Sequence, residues 1–226
     1  MPTSTFFPDA GAAGPDTVDG ITQRNGVGTW GSVRAGAGTS AANSGADERF
    51  VMLGTGAGVD WLKMNRGAFL FNTGPTIGDA DTIDSATLGL VGITGDRVET
   101  IASQSARLVV FVTPPASDTA LVAGDHLATR WGTAEQAADR DLAGLTMNSA
   151  TYNDWTLNAT GLTNISKTGK TKFGFRMVSD ALDSVPTYVA NADAYAGVAM
   201  ADTALGDDKR PRLVVPHTSP ATAALT

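Results

Sequence analysis

The sequence predicts an all-β fold, a jelly-roll β-sandwich with one short helix and extended N- and C-terminal arms. Short runs rich in β-branched and aromatic residues recur along most of the chain, and turn-forming Gly, Pro, Asp and Asn separate them. The pattern divides the chain into an N-terminal arm over residues 1–15, a sandwich domain over residues 16–215 and a C-terminal tail over residues 216–226. A chain of 226 residues is long enough for one large β domain with its own core.

Composition narrows the possible functions. The chain has no cysteine, which excludes disulfides, thiolate zinc sites and a cysteine nucleophile. Its formal net charge is −7, whereas nucleic-acid binding generally needs a basic surface, so we predict no nucleic-acid partner. No apolar run approaches the ~20 residues of a membrane helix, and the N-terminus lacks the basic and apolar regions of a secretory signal. We therefore expect synthesis in the cytoplasm and no membrane partner.

The N-terminal arm carries two adjacent aromatic residues, Phe6 and Phe7, followed by a proline. If exposed, these rings would promote aggregation, so we expect them to pack either on their own domain or on a neighbouring subunit. Both alternatives are open, and Phe6 and Phe7 are candidate docking residues. The tail after Val215 is rich in Pro, Thr and Ala, and we expect it to be extended.

Within the domain, short β-prone pieces over Asp16–Gly38 alternate with glycine turns. Eight further segments are predicted as strands: Phe50–Leu53, Arg66–Asn72, Thr82–Leu90, Arg107–Thr113, Asp154–Leu157, Lys172–Val178, Tyr195–Met200 and Arg212–Val215. The glycine-rich segment 54–58 resembles a hairpin loop between the first two. Arg107–Thr113 is the most strongly β-branched run, and we predict that it is central to a sheet. Two prolines then end it, because proline removes the ladder donor.

One segment, Thr133–Leu142, is a good helix candidate. Thr133 and Gln136 have the spacing of a capping box, and the alanines and leucine that follow favour a helix. We predict a short helix here that covers one end of the β domain.

The sequence offers little catalytic chemistry. His126 and His217 are its two histidines, and without a G-x-S-x-G motif we do not expect a Ser-His-Asp hydrolase. Asp79, Asp81 and Asp84 supply oxygen atoms at a spacing faintly similar to a calcium loop, but turn formation explains the run equally well. We predict a protein that is not an enzyme and holds no metal or cofactor.

Two of the four tryptophans, Trp30 and Trp61, follow glycine-rich segments where exposure is conceivable. Carbohydrate-binding modules stack sugar rings on exposed tryptophans, so these two residues are candidates for glycan stacking. Burial in the domain is the alternative, and it is the more frequent situation for tryptophan.

Three motifs resemble the DNRLRE-type domain, a jelly-roll family classed among carbohydrate-binding modules. The first pairs an arginine-led aromatic strand, Arg66–Thr73, with Ile83–Leu90 in the form I-x-S-A-x-L-x-L. The second is Leu157–Arg176, which follows the form L-N-x-x-G-L-x-x-I-x-x-x-G-x-T-x-F-G-x-R. The third is the closing strand Arg210–Val215, of the form R-P-x-L-x-V. The resemblance carries over no ligand-binding residue.

A solitary domain of this kind resembles the stand-alone virion proteins of tailed bacteriophages. The resemblance implies a non-enzymatic virion structural protein, a capsid decoration (cement) or head-appendage protein that binds the major capsid protein or another virion protein. It also implies a homo-oligomer such as a trimer, made in the host cytoplasm without a signal peptide. The alternative is a carbohydrate-binding module that recognises a host-surface or matrix polysaccharide.

Overall fold

Thirteen antiparallel strands build the fold in the computed structural model, which describes residues 2–10, 16–43, 45–58, 60–101 and 106–220. The strands are β1 Thr3–Phe6, β2 Asp19–Gly28, β3 Ser40–Ala42, β4 Asp47–Thr55, β5 Trp61–Asn72, β6 Thr82–Ile83, β7 Thr87–Glu99, β8 Arg107–Val112, β9 Arg140–Asp141, β10 Tyr152–Thr156, β11 Lys170–Met177, β12 Asp193–Ala199 and β13 Arg212–Thr218. The predicted all-β sandwich of jelly-roll type is confirmed.

The strands form one curled sheet in the order β1-β13-β7-β12-β4-β5-β11-β8-β9. Two long strands carry the sheet from one layer to the next. Residues 87–91 of β7 pair with β10, whereas residues 92–99 pair with β12. Likewise, residues 61–66 of β5 pair with β4 and residues 67–72 pair with β11. On its other side β5 pairs with β2, which also holds the short β3.

Four buried aromatic rings join the layers. Phe175 on β11 lies 4.8 Å from Trp155 on β10, 5.2 Å from Phe50 on β4 and 5.8 Å from Phe69 on β5, measured between ring centroids. All three pairs meet edge to face, an arrangement that the charge distribution of aromatic rings favours. Because each ring comes from a different strand, the cluster fixes the packing of the sandwich.

Each of the eight predicted strand segments overlaps an observed strand, but two details differ. The segment 82–90 is split between β6 and β7, and β7 continues to Glu99. The prediction that Arg107–Thr113 is central to a sheet is wrong, because β8 lies next to the sheet end that the two-residue β9 forms. Its outer face is instead buried, with Val109 and Phe111 packed against Trp131 and Val178.

The helix predicted over Thr133–Leu142 is also wrong. Gln136 donates its backbone N–H to the carbonyl of Val110, and its side chain turns back to the carbonyl of Ala134. The capping-box spacing therefore belongs to a turn beside β8, and Arg140–Asp141 is strand β9. Three short helices occur elsewhere in the described residues: α1 Trp30–Ala35, α2 Ala159–Thr163 and α3 Val178–Ala181.

The N-terminal segment contributes a strand to the sheet. β1 pairs with β13, with Ser4 opposite Val215, and the side chain of Phe6 lies in the main core at 7% exposure. Phe7 is half-buried, and the guanidinium of Arg210 lies 4.9 Å from its ring centre. Of the two alternatives for Phe6, packing on its own domain is the one observed.

We predict that Phe6→Ala lowers the free energy of unfolding by about 3–5 kcal/mol, because truncating a buried phenylalanine leaves a cavity. Phe7→Ala removes the half-buried neighbouring ring and serves as the matched control, with a much smaller expected effect. Equilibrium denaturation in urea measures both. Wild-type stability in Phe6→Ala would show that β1 is not held against the sheet.

Asp19, at the start of β2, is a buried carboxyl. Its Oδ2 accepts a hydrogen bond of 2.7 Å from the backbone N–H of Ala201. Burial raises the pKa of Asp19 from 3.8 to about 7, and this hydrogen bond only partly opposes the shift. Since the folded protein holds the proton more tightly than the unfolded chain, this group lowers stability as the pH rises from about 4 to about 7.

We therefore expect Asp19→Asn, which keeps an acceptor for the Ala201 N–H, to be more stable than wild type at pH 8. The difference should shrink towards pH 4, because the folded wild-type protein then holds its carboxyl neutral and the unfolded chain has begun to bind the same proton. Thermal or chemical unfolding of both proteins across this range measures it. A difference that does not change with pH would contradict a buried, titrating Asp19.

Candidate functional site

A polar groove with a cavity volume of about 400 Å³ lies across β2, β5, β4 and the end of β7. Its lining combines amides, carboxylates, two cations and one thioether: Gln23, Asn25, Asn65, Asp47, Glu48, Asp96, Arg49, Lys63 and Met52. The volume falls in the range of pockets that bind small molecules. We call this site the polar groove.

The register of the sheet builds a row of side chains across the groove. Gln23 lies opposite Asn65, Asn65 opposite Met52, and Met52 opposite Tyr195 on β12. Directly opposed residues of antiparallel strands point to the same face, so the four side chains form one row across four strands. At a strand spacing of ~4.8 Å the row is about 14 Å long. Asn65 is held in place because its Nδ2 donates to the carbonyl of Arg49 at 3.0 Å.

One wall of the polar groove is an ordered charged network. The guanidinium of Arg49 lies 4.0 Å over the ring of Tyr195, and its Nε donates to Asp96 Oδ1 at 3.1 Å. Gly197 on β12 makes room for this carboxylate, since a Cβ there would lie 2.0 Å from Asp96 Oδ2. The positive charge of Arg49 is therefore already engaged by groups of the protein itself.

The lining of the polar groove is slightly acidic. It has three carboxylates, Asp47, Glu48 and Asp96, against the two cations Arg49 and Lys63, a formal balance of −1. Burial and then the adjacent Asp47 raise the pKa of Glu48 above its usual value. The groove thus has the same sign of charge as the whole chain.

The two tryptophans predicted to stack on glycans are buried. Trp30 is 6% exposed and Trp61 is 3% exposed, and their rings meet edge to face at 4.8 Å. Trp30 Nε1 also donates to Asp183 Oδ1 at 3.0 Å, which anchors α1 to the end of α3. Neither ring offers a free face to a sugar. Of the two alternatives for these residues, burial in the domain is the one observed.

A buried ionic cluster lies beneath α1 and α3. Arg66 binds the carboxylate of Asp180 with Nε at 2.8 Å and Nη2 at 2.7 Å, and Arg176 binds it at 2.9 and 3.0 Å. Arg34 Nε donates to the Asp180 carbonyl at 2.6 Å. Burial works against the charge of Asp180, but the two guanidinium groups outweigh it and hold the pKa of this carboxyl well below its usual range. The cluster joins β5, β11, α1 and α3.

His126 is a buried part of the same cluster. Its ring nitrogens lie 3.2 Å from the carbonyls of Gly36 and Met64, and its own carbonyl accepts a hydrogen bond from Arg66 Nη1. Burial, and then the charge of Arg66, lower the pKa of His126 to about 4. The imidazole is therefore neutral at pH 7 and joins the loop at 123–126 to β5.

The second histidine lies where the first and last strands meet. His217 Nδ1 is 2.7 Å from Asp81 Oδ2, and its Nε2 is 3.0 Å from Ser4 Oγ, distances like those of a Ser-His-Asp relay. Ser4 is on β1, His217 is on β13 and Asp81 precedes β6, so the two hydrogen bonds join these three elements. We interpret the three groups as a clasp on the first and last strands. The cavity of about 480 Å³ beside Asp81 is lined by residues of the 80–83 and 162–167 segments.

The aspartates of the 79–84 segment serve the turn and the last strand. Asp81 contacts His217, and Asp84 Oδ2 accepts a hydrogen bond of 2.7 Å from the hydroxyl of Thr218. Thr218 is the third residue of the predicted tail. Within the described ranges, no group of three or more His, Cys, Asp or Glu side chains is placed to hold a metal ion. In the same part of the chain, no helix is long and apolar enough to cross a membrane.

No protein-family model and no curated protein matches this sequence. The function is therefore inferred from the residues of the chain and their geometry.

We predict that Asp180→Asn destabilises the protein by about 3–5 kcal/mol, because it leaves Arg66 and Arg176 buried without a counter-charge. Asp141→Asn is the matched control, since the Asp141 side chain is 73% exposed and pairs with Arg107 at 3.6 Å. An exposed pair of this kind contributes about 1 kcal/mol or less. Denaturant unfolding compares the two variants, and equal losses would contradict a dominant role for the buried carboxylate.

Proposed function

We propose that the chain is a non-enzymatic structural protein of a tailed-bacteriophage virion. In this proposal it is a capsid decoration or head-appendage protein that binds the major capsid lattice as a homo-oligomer. The observation that carries the proposal is the resemblance of three strand-forming motifs to the DNRLRE-type jelly-roll domain. A single domain of this kind resembles stand-alone virion proteins. A chain without cysteine suits assembly in a reducing cytoplasm, because its fold needs no disulfide.

Two of the three motifs meet in the buried ionic cluster. Arg66–Thr73 covers the second half of β5, and Leu157–Arg176 runs through α2 into β11. The arginine of each motif, Arg66 and Arg176, binds the carboxylate of Asp180. Two motifs that are distant in sequence thus meet at one contact, which supports a resemblance in fold rather than in ligand.

The edge formed by β1 supports the homo-oligomer in this proposal. Among the described residues, β1 pairs with β13 alone and is the terminal strand of the sheet order. Such an edge presents backbone groups that can pair with a strand of a neighbouring subunit. Because β1 and β13 are antiparallel, the start of β1 lies beside the last residues of β13, with residue 3 opposite residue 216.

Saccharide binding is a second candidate function, and the polar groove is the observation that favours it. Its amides both donate and accept hydrogen bonds, and its carboxylates accept them, which suits the hydroxyl groups of a sugar. The proposed docking edge uses β1 and β13, whereas the polar groove uses other strands. A head appendage can therefore carry both functions.

We expect quantitative peptide mass spectrometry of purified virus particles from the source culture to detect this chain in a fixed ratio to the major capsid protein. A ratio near that of the capsid lattice supports a decoration protein, and a few copies per particle support an appendage. Absence of the chain from the particles would contradict the virion proposal and leave saccharide binding as the candidate function.

A further inference from the structure

We infer that the polar groove binds an uncharged saccharide chain and discriminates against anionic ones. The inference rests on the second candidate function, saccharide binding, and adds to it the charge class of the ligand and the residues that select it. Three features of the groove lead to it: the type of its hydrogen-bonding groups, their placement in a row and the sign of its charge.

The hydrogen-bonding groups of the polar groove match hydroxyls. A sugar hydroxyl donates one hydrogen bond and accepts others, and an amide side chain likewise offers both an N–H₂ donor and a C=O acceptor. Gln23 and Asn25 project from the same face of β2, two residues apart, and Asn65 lies opposite Gln23. Three amides are thus grouped on two adjacent strands. Gln23 and Asn25 are the accessible ones, whereas Asn65 lies buried between them and β4 and donates to the carbonyl of Arg49.

The floor of the polar groove is less polar than its rim. Met52 is 5% exposed and lies between Asn65 and Tyr195 in the cross-strand row. Met52 also shares a face of β4 with Phe50, so the groove continues the core-facing side of the strand past the aromatic cluster. A polarisable thioether beneath polar side chains suits a ring that has C–H groups on its face and hydroxyls at its edge.

The charge of the polar groove selects against anionic ligands. Asp47 and Glu48 are adjacent carboxylates at one side, and Arg49 is engaged by Asp96 and by the ring of Tyr195. A uronate or sulfate group entering here meets three carboxylates, and Arg49 would have to leave its partners to receive it, so Lys63 is the cation left to offset the repulsion. An uncharged saccharide has neither requirement.

The test is titration calorimetry of the full chain against two probes: a panel of neutral gluco-, manno-, galacto- and xylo-oligosaccharides, and oligogalacturonate as the anionic probe. We expect binding of a neutral probe and a weakening of roughly tenfold or more in the double variant Gln23→Ala, Asn25→Ala. Asn148→Ala, an exposed amide in the turn before β10, is the matched control and should bind like wild type. Thermal melting confirms that each variant is folded.

A second variant tests the charge directly. Asp47→Asn combined with Glu48→Gln keeps the shapes of both side chains and removes two negative charges, so we expect it to retain the neutral ligand and to gain affinity for oligogalacturonate. Wild-type protein that binds oligogalacturonate and no neutral probe would overturn the charge inference and leave saccharide binding standing. Binding of neither probe would overturn both, without bearing on the copy number measured in virus particles.

Discussion

The Asp180 carboxylate, held between Arg66 and Arg176, is the constraint on which the middle of the fold depends. Buried charges are tolerated only when they are paired and fully hydrogen-bonded, and this cluster meets the requirement with side chains from β5, β11 and α3. Arg34 adds α1 through the Asp180 carbonyl. Since neighbouring strand residues face opposite sides, fixing Arg66 on one side of β5 also fixes Asn65 on the other, in the polar groove. The ionic cluster thus sets the geometry of the candidate site without belonging to it.

The parts of the fold that could be predicted from sequence are short runs of apolar, β-branched or aromatic residues between turn signals. Ala68–Phe71 on β5 is apolar at every position, and a short run of this kind is typical of a strand that is buried on both faces. The helix prediction for Thr133–Leu142 is wrong because a capping-box spacing reflects only the conformational preference of neighbouring residues. A long-range hydrogen bond from Gln136 to the carbonyl of Val110 decided its conformation instead. The end of β7 was missed because residues 92–99 are polar and glycine-containing, and their strand pairing is imposed by β12.

The candidate site was beyond sequence reasoning for a similar reason. Gln23, Asn65, Met52 and Tyr195 are scattered over the chain, and only the register of four strands places them in one row. None of the four belongs to a sequence motif. An isolated amide gives no signal in a sequence, because amides are common on protein surfaces. The tryptophan prediction failed in the opposite way: glycine-rich surroundings suggested exposure for Trp30, but its indole is anchored by Asp183, 153 residues away. Burial is a property of the assembled fold, and neighbours in sequence do not determine it.

The two proposed functions place different demands on the molecule, and different strands meet them. The subunit pairing proposed for the homo-oligomer uses an edge strand, and β1 is the terminal strand of the sheet order within the described residues. Selecting a ligand requires side chains held in fixed positions, which the inner strands β5 and β4 provide in the polar groove. The clasp of Ser4, His217 and Asp81 joins β1 and β13 to the 78–84 turn, and none of these three residues lines the polar groove. The two proposed functions therefore do not compete for the same surface of a subunit.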